Sequence, residues 1–338
     1  MKIQNVVVTG QNKVELQEAE LDENLRSNDL LIETEATYIS SGTELANYTG
    51  VEPKTRLRGQ WCSYPWKSGY ANVGIVRAAS PGVSRAQVGD RVFTYANHAS
   101  HARYDASSLV VQVPDGMDST IAAASRMTGV AVTALLVADL QDNPWVAVYG
   151  LGMVGNQAAQ AFRIRGFRVI GVDPVQKRRE IAEQCGVQHT VGGTPEEAHE
   201  AIREITRGSM AGVSVDAVGH GAVCAQALKA TSDHGQLIIL GSPRAPVETN
   251  ITAFLSDVHL RWISVRGALE WMLPMYPTVG RRPSQYTKQR MIFDWIERGD
   301  LQLEPLISHR MKPEQIKQAY DGLRDNPEIY TGVALEWR

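Results

Sequence analysis

The chain has few cysteines, little charge imbalance and no long apolar segment. Its 338 residues include three cysteines, far apart and without a C-x-x-C pair, so neither a disulfide framework nor a redox motif is indicated. The formal net charge of −3 lacks the basic excess typical of nucleic-acid binders. No apolar run is long enough to span a bilayer, and the N-terminus has a strand-like pattern rather than that of a signal peptide. We therefore expect a cytoplasmic protein that contacts neither nucleic acid nor membrane.

What is present is the composition of an ordinary globular protein, with 43% apolar and 21% charged residues. A chain of this length can form two domains, each with its own core. The first third has short apolar or alternating segments separated by turn residues, which predicts a β-rich domain. A helix is predicted over 122–140, and after it strands alternate with helices, which indicates an α/β fold with a parallel sheet. The predicted elements after that helix are 146–149, 156–165, 168–172, 177–184, 196–206, 212–216, 221–229, 236–240, 265–268, 288–298, 313–324 and 332–337.

A glycine turn follows the first strand of this alternating part. Three of its residues have the spacing G-x-G-x-x-G, with a strand before them and a helix after them. In such a turn the first glycine permits the bend, the second lets the backbone approach a pyrophosphate, and the third allows close packing of helix on strand. The motif predicts a dinucleotide site whose turn consists of Gly150, Gly152, Met153, Val154 and Gly155.

The next apolar run ends at Asp173, about 20 positions beyond the turn. An acid at this place can bind the ribose hydroxyls, and its charge would repel the 2′-phosphate of NADP(H), so NAD(H) is the predicted cofactor. Lys177, Arg178 and Arg179 follow. They fit either a solvated helix start or a contact with the adenosine ribose or phosphate, for which Arg178 is the candidate, and they keep NADP(H) open as an alternative.

Together these features resemble the medium-chain dehydrogenase/reductase superfamily over nearly the whole chain. The resemblance is carried by the glycine turn and by segments that include Ser41-Gly42-Thr43-Glu44, Val88-Gly89-Asp90-Arg91-Val92, Val215-Asp216-Ala217-Val218-Gly219, Gly241-Ser242 and 332–337. It implies a GroES-like β-rich domain, a Rossmann doubly wound parallel sheet and an active-site cleft between them. We expect the GroES-like catalytic domain at 1–124 and 272–338, and the Rossmann NAD-binding domain at 125–271.

The resemblance has further implications. The pattern is nearest to the branch that contains bacteriochlorophyllide dehydrogenase and related sugar or polyol dehydrogenases. Relatives of this kind assemble through their Rossmann sheets, which implies a homodimer or homotetramer. The cofactor contacts implied beyond the glycine turn are Val218, Gly241, Ser242 and Leu269.

The chain departs from the family at the zinc ligands. Zinc-dependent members carry Cys-Gly-Thr-Asp, Gly-His-Glu and a third acid or cysteine, whereas Ser41, Tyr70 and Arg126 stand at these positions here. Zinc prefers thiolate, imidazole or carboxylate, and a permanently charged arginine would repel it. The lobe of structural zinc is also missing, since no cysteine lies between Cys62 and Cys185. We therefore predict that the chain binds neither catalytic nor structural zinc.

Without a metal, a side chain must exchange the substrate's proton. Tyr70 is the first candidate, because a neighbouring cation, either Arg126 or Lys67, would lower its pKa. Its alternative role is to fill the space that the metal would occupy. Arg126 is interpreted either as a clamp for a substrate anion or as a salt-bridge partner of Glu44, with the salt bridge favoured.

Other polar residues are candidates for the same chemistry. Ser41 and Thr43 either relay protons or satisfy backbone groups before a helix that starts near Glu44. His98 and His101 lie in a segment that borders the cleft in relatives, and histidine suits proton transfer near neutral pH. Their alternative is a polar surface loop without catalytic function.

Aromatic and cationic residues alternate in a predicted loop at 56–67, where a sugar ring, an aromatic group or an anion would bind. The candidates there are Arg56, Arg58 and Trp66, and the alternatives are a packed lid or an oligomer contact. Trp271 is predicted as a wall of the cleft, because it falls where relatives touch the nicotinamide.

These inferences predict a zinc-independent, NAD(H)-dependent oxidoreductase that transfers a hydride between nicotinamide and an alcohol or ketone. A polyol, a sugar or another secondary alcohol is the expected small-molecule substrate. One alternative is a zinc-less reductase of activated C=C bonds, of the enoyl or quinone type. The other is a protein that binds NAD(H) without turnover.

Overall fold

The computed structural model describes residues 1–139, 143–280 and 283–338, and this part of the chain forms two compact units. The first unit contains Met1–Arg126, Leu273–Glu297 and Leu306–Arg338, and the second contains Met127–Met272 and Arg298–Pro305. The junctions at 126 and 272 lie within two residues of those expected from the sequence. The inclusion of Arg298–Pro305 in the second unit is a feature that the sequence pattern does not indicate.

The first unit is β-rich, as predicted. Its strands are β1 (Lys2–Gly10), β2 (Lys13–Glu20), β3 (Asp29–Tyr38), β4 (Trp66–Lys67), β5 (Asn72–Ala79), β6 (Arg91–Thr94), β7 (His101–Asp105), β8 (Val110–Gln112), β15 (His309–Met311) and β16 (Val333–Glu336). One sheet has the order β2-β1-β4, and another has the order β15-β16-β3-β5-β6-β8 with β7 also paired to β3. Most pairs are antiparallel, and the central strand β3 is buried along most of its length.

Helices close the first unit. They are α1 (Thr43–Tyr48), the first part of α2 (Ser119–Val137), α8 (Gln285–Glu297) and α9 (Ile316–Asp325). In α9 the buried residues Ile316, Ala319, Tyr320 and Leu323 have the spacing of one helix face. This face packs in one core cluster with Val8 and its neighbours in β1.

The second unit is a parallel sheet with helices, which confirms the predicted α/β class. Its strands are β9 (Trp145–Tyr149), β10 (Arg168–Val172), β11 (His189–Val191), β12 (Ala211–Asp216), β13 (Thr231–Ile239) and β14 (Ser264–Gly267). Its helices are α3 (Met153–Ile164), α4 (Gln176–Gln184), α5 (Pro195–Ile205), α6 (Gly221–Ala230) and α7 (Ile251–Leu260). The strand order is β11-β10-β9-β12-β13-β14, in which every neighbouring pair is parallel. The order reverses between β9 and β12, and such switch points form ligand crevices at the carboxyl ends of the strands.

Helix α2 differs from the sequence expectation in two respects. It spans Ser119–Val137, and the predicted end at Leu140 lies outside the described residues. It is also long and apolar enough to cross a membrane by length and composition, although no such run was expected from the sequence. Since 78% of its most apolar window is buried inside the protein, α2 fits the core helix of a folded domain.

Candidate functional site

The glycine turn lies at the carboxyl end of β9, at the reversal of strand order. Gly150 has a φ of +87°, and a Cβ atom added there would lie 2.5 Å from the Val218 side chain. A Cβ atom added at Gly155, in the first turn of α3, would overlap the carbonyl oxygen of Gly150. Gly152 has no atom within 4 Å of an added Cβ, so its backbone is open to a ligand. The geometry therefore matches the roles that the G-x-G-x-x-G spacing predicts for its three glycines.

Asp173 is joined to the same turn. Its carboxylate is buried and accepts the backbone N–H groups of Leu151 and Val175, each at 2.8 Å. The Arg178 guanidinium lies 3.6 Å from the carboxylate, whereas Arg179 donates to the carbonyl oxygen of Asp173 at 2.7 Å. Asp173 thus holds the turn in place, and its predicted contact with a ribose stays a prediction.

The carboxyl ends of the neighbouring strands lie beside the glycine turn. Asp216, at the end of β12, accepts the N–H groups of Val218 and Gly219 at 2.9 and 3.0 Å. Burial raises the pKa of Asp216, against the lowering effect of these two hydrogen bonds. The sequence alone does not predict that Asp216 holds the turn after β12, because an acid at the end of an apolar strand has no distinctive pattern.

The other predicted cofactor contacts follow the strands of the same sheet. Gly241 and Ser242 follow β13 after Leu240, and the Gly241 N–H donates to the Asp216 carbonyl oxygen at 2.8 Å. Leu269 follows β14 and is exposed, as is Trp271 in a short 3₁₀ turn. Met153 is buried in α3, whereas Val154 is partly exposed.

A second polar group lies in the first unit, around Tyr70. The Tyr70 hydroxyl donates to the Ser40 hydroxyl oxygen at 2.6 Å. The guanidinium carbon of Arg126 lies 4.7 Å from the Tyr70 ring centre and 4.6 Å from that of Tyr95, and Arg126 is almost fully buried. Of the two predicted cations, Arg126 is the one on the ring, whereas Lys67 in β4 is exposed. Ser40 and Tyr95 were not among the sequence candidates.

The predicted lowering of the Tyr70 pKa is wrong in its net sign. Burial raises the pKa of Tyr70, and this effect exceeds the lowering by the Arg126 cation and by the Ser40 hydroxyl. The Glu44 carboxylate raises the pKa further, and the Thr43 hydroxyl lowers it. Desolvation of the phenolate therefore outweighs the neighbouring cation, and Tyr70 stays a neutral proton donor well above neutral pH.

Glu44 is fully buried and has several partners. Its carboxylate accepts the Ser40 backbone N–H at 2.8 Å and the Tyr320 hydroxyl at 2.6 Å, and it lies 3.0 Å from Nε2 of His98. These contacts occupy the carboxylate that the sequence assigned to Arg126. They also correct the interpretation of His98 as a surface loop residue, because its side chain has no exposed area.

The remaining catalytic candidates have different surroundings. Helix α1 begins at Thr43, and its N-cap Gly42 makes no side-chain cap hydrogen bond. Whether the Ser41 and Thr43 hydroxyls satisfy backbone groups before this helix or relay protons stays a prediction. His101 lies in β7 opposite Glu33, and its Nδ1 is 3.4 Å from the Ser100 hydroxyl. Burial lowers the pKa of His101. These contacts place His101 in the β3–β7 pair rather than among the partners of Tyr70.

In the predicted substrate loop, Trp66 packs in the protein core. Trp66 belongs to β4, is 9% exposed and packs in the core cluster with β1, so its assignment to substrate binding is wrong. Arg56 and Arg58 are exposed, and Arg56 donates to the Gln11 side chain at 3.1 Å. Trp61, 56% exposed, packs edge-on against Trp66.

The donor chemistry around Tyr70 does not fit zinc. The groups at the family's ligand positions are a serine, a tyrosine and a guanidinium over the tyrosine ring. Within residues 1–139, 143–280 and 283–338, no three His, Cys, Asp or Glu side chains are grouped so that they could hold a metal ion. At these three positions a bound zinc ion would find no thiolate, imidazole or carboxylate ligand and would face a fixed cation.

Known proteins are similar to both units. The family model described as "Zinc-binding dehydrogenase" matches residues 150–281, a range that does not include Ser41, Tyr70 or Arg126. An alcohol dehydrogenase from Geobacillus stearothermophilus is 28% identical over 61% of this chain and 68% of its own length. A quinone oxidoreductase from Pseudomonas aeruginosa is 28% identical over 75% of this chain and 77% of its own length.

The fold is also that of solved dehydrogenases. A structure described as a short chain alcohol dehydrogenase from Escherichia coli CFT073, complexed with NADH, superimposes with a TM-score of 0.82 at 17% identity over 99% of both chains. The fold, with its glycine turn at Gly150–Gly155, is that of alcohol dehydrogenases. These matches support the resemblance of the chain to the medium-chain dehydrogenase/reductase superfamily, a superfamily of oxidoreductases.

Proposed function

We propose that the protein is a zinc-independent, NAD(H)-dependent oxidoreductase that transfers a hydride between nicotinamide and an alcohol or ketone. The observation that carries the proposal is the turn from Gly150 to Gly155, which leaves the Gly152 backbone open at the N-terminus of α3. A helix N-terminus with an open backbone suits a pyrophosphate. The substrate class that we favour is a polyol, a sugar or another secondary alcohol.

The residues around the glycine turn fit a dinucleotide. Gly152 and the first turn of α3 would hold the pyrophosphate, and Asp173 would face the adenosine ribose. When bound, the cofactor supplies or accepts the hydride. Val218, Gly241 and Leu269 follow the neighbouring strands and would line the rest of the site. NAD(H) is favoured by the Asp173 carboxylate, whereas Arg178, at 3.6 Å from that carboxylate, keeps NADP(H) as the minority choice.

Tyr70 is the proton-exchanging group of the proposal. Its hydroxyl is partnered by Ser40, and because burial raises the pKa of Tyr70, the group is protonated at neutral pH. In ketone reduction Tyr70 would donate this proton to the carbonyl oxygen while the carbonyl carbon receives the hydride. In alcohol oxidation the tyrosinate would take the proton back.

Zinc independence rests on the same residues. Lewis-acid polarisation needs a metal held by anionic or imidazole ligands, and the family's ligand positions are occupied by Ser41, Tyr70 and Arg126. The Arg126 cation beside the phenol would supply part of the charge stabilisation by favouring the tyrosinate.

A second candidate function is the reduction of activated C=C bonds. It is favoured by the match to the Pseudomonas quinone oxidoreductase, which covers more of this chain than the alcohol dehydrogenase match does. In that reaction Tyr70 would protonate the carbon atom next to the carbonyl group or the enolate oxygen. A protein that binds NAD(H) without turnover is the third outcome.

We further propose a cytoplasmic homodimer. Strand β14 is the last in its sheet and all its residues are exposed, and helix α7 has no buried residue. Leu260 and Trp262 are 72% and 73% exposed in the single chain. An unpaired edge with neighbouring apolar groups suits a second copy of the chain. Sedimentation should give a dimer, with a tetramer as the other assembly to consider, and Val265→Lys in β14 should give monomers.

The function is tested by titrating the protein with NADH and NADPH and then assaying ketones, sugars and enones with NADH. We expect NADH to bind more tightly than NADPH and at least one ketone or sugar to turn over. Turnover of enones alone would favour the second candidate. NADH binding without turnover across the whole panel would favour a non-catalytic protein.

A further inference from the structure

A buried polar cluster extends from Tyr70 into the first unit. Glu44, His98 and Tyr320 have no exposed area. They come from α1, from the segment before β7 and from α9, and the hydroxyl of Tyr320 reaches Glu44 across 276 positions of sequence. Three distant segments thus converge on one carboxylate.

Both oxygens of this carboxylate are in use. Oε1 accepts the backbone N–H of Ser40 at 2.8 Å. Oε2 accepts the Tyr320 hydroxyl at 2.6 Å and lies 3.0 Å from Nε2 of His98. A buried carboxylate is costly unless it is hydrogen-bonded, and these contacts offset that cost. They also fix the Glu44 carboxylate in a single orientation.

Ser40 connects the cluster to Tyr70. Its backbone N–H binds Glu44, and its side-chain oxygen accepts the Tyr70 hydroxyl at 2.6 Å. The residue before Tyr70 also contacts the cluster, because a Cβ atom added at Gly69 would lie 2.5 Å from the His98 backbone nitrogen. The Tyr70 hydroxyl and the Tyr70 backbone are therefore both located by groups that belong to, or adjoin, the Glu44 cluster.

We propose that Glu44 is a positioning residue, held by His98 and Tyr320, that fixes Ser40 and thereby the Tyr70 hydroxyl. The inference rests on the proposed function, in which Tyr70 exchanges the substrate proton. Glu44 itself touches neither substrate nor cofactor in this role. It acts through Ser40, so its removal should affect the reaction step more than substrate binding.

The charges around Tyr70 give the inference a specific signature. Arg126 faces Tyr70 from α2 and lowers its pKa, whereas Glu44 faces it from α1 and raises its pKa. The neutral hydroxyls of Ser40 and Thr43 also lower it. Glu44→Gln keeps the size of the side chain, removes the charge and replaces one of the two acceptor oxygens by an amino group that can only donate, so the contact to Ser40 or that to Tyr320 is lost. The pKa of Tyr70 should consequently fall in this variant.

The test is a tyrosinate absorbance titration of the full-length protein. The contribution of Tyr70 among the 11 tyrosines is obtained by subtracting the titration of a Tyr70→Phe variant, in the wild-type background and again with Glu44→Gln. We expect the Tyr70 midpoint to move to lower pH with Glu44→Gln. The matched control is Glu33→Gln, in which the carboxylate removed is paired with Arg77 and Arg338 in the same unit and the midpoint should not move.

Kinetics give the second measurement. With NADH and the substrate identified above, Glu44→Gln should lower kcat about tenfold and leave KM within about twofold of the wild type, as expected for lost orientation at the reacting group. The titration requires no turnover, so it tests whether the Glu44 charge acts on Tyr70 even where the panel gives no substrate and the proposed function fails, and the kinetics test the positioning. An unchanged Tyr70 midpoint in a Glu44→Gln protein with wild-type circular dichroism would overturn the inference.

Discussion

The Tyr70 hydroxyl donates a hydrogen bond of 2.6 Å to the hydroxyl oxygen of Ser40. This contact joins a residue at the family's second zinc-ligand position to one that directly precedes the first. A hydroxyl pair of this kind can hold a proton at a defined atom, whereas a metal would act by polarising the substrate oxygen. The proposed chemistry of the first unit depends on this pair.

Tyr70→Phe tests whether the phenol exchanges the proton. The variant keeps the ring against Arg126 and removes only the hydroxyl, so we expect kcat to fall about 100-fold or more and NADH affinity to stay unchanged. Tyr330→Phe, whose ring stacks on His309, is the matched control and should keep full activity. Wild-type kcat in Tyr70→Phe would remove Tyr70 from the reaction.

Arg126→Met tests the charge beside the phenol. Because Arg126 lowers the pKa of Tyr70, its replacement by an apolar side chain of similar length should raise that pKa above its wild-type value. In pH–rate profiles, the alkaline fall in ketone reduction should shift to higher pH, and alcohol oxidation near neutral pH should slow. A shift of the alkaline limb to lower pH would contradict the assignment of Arg126 as the cation that favours the tyrosinate.

The glycine turn permits a matched pair of variants. In Gly155→Ala the new methyl group would overlap the Gly150 carbonyl oxygen, so we expect a loss of about 3 kcal/mol in the free energy of unfolding. In Gly152→Ala the methyl group has free space, and the loss should be about 1 kcal/mol or less. Gly152→Ala should nevertheless weaken NADH binding about tenfold, because its methyl group stands where the pyrophosphate approaches. Denaturant unfolding and NADH titration measure the two effects; equal NADH affinity in Gly152→Ala and wild type would contradict the site.

Asp173→Ala tests cofactor preference. The variant removes the carboxylate that accepts the N–H groups of Leu151 and Val175 and that would repel a 2′-phosphate. We expect the ratio of NADPH to NADH affinity to rise about tenfold, and stability to fall by about 1–3 kcal/mol because one buried and one partly buried donor lose their acceptor. Glu180→Ala in α4, which removes a partly exposed carboxylate, is the acidic control. An unchanged affinity ratio would show that Asp173 serves only the turn.

Trp66 and Trp61 test the corrected interpretation of the loop. Trp66 is core and 9% exposed, so Trp66→Ala should cost about 3–5 kcal/mol of unfolding free energy. Trp61 is 56% exposed, and Trp61→Ala should cost about 1 kcal/mol or less. Equal losses in denaturant unfolding would mean that the loop packs differently.

Much of the second unit is predictable because its signals are local. The bounds of strand β10 are predicted correctly, because a short apolar run between a glycine and an acid is typical of a buried strand. Helix α7 is missed for the opposite reason. Its apolar residues do not form one buried stripe, and none of them is buried within the chain.

The site of the first unit is less predictable because the residues in contact are far apart in the sequence. Tyr320 reaches Glu44 across 276 positions, and a single sequence carries no signal for such a pair. The identity of Arg126 as the cation near Tyr70 followed from the family pattern, but the net direction of the Tyr70 pKa did not. That direction depends on burial, which residue types alone do not report.

The central claim, hydride transfer without a metal, is tested most directly with NADH deuterated at C4 and protein treated exhaustively with a zinc chelator. We expect deuterium on the carbinol carbon of the reduced ketone, at the same rate before and after chelation. Loss of the reaction on chelation, with recovery on adding Zn²⁺ alone, would contradict the account.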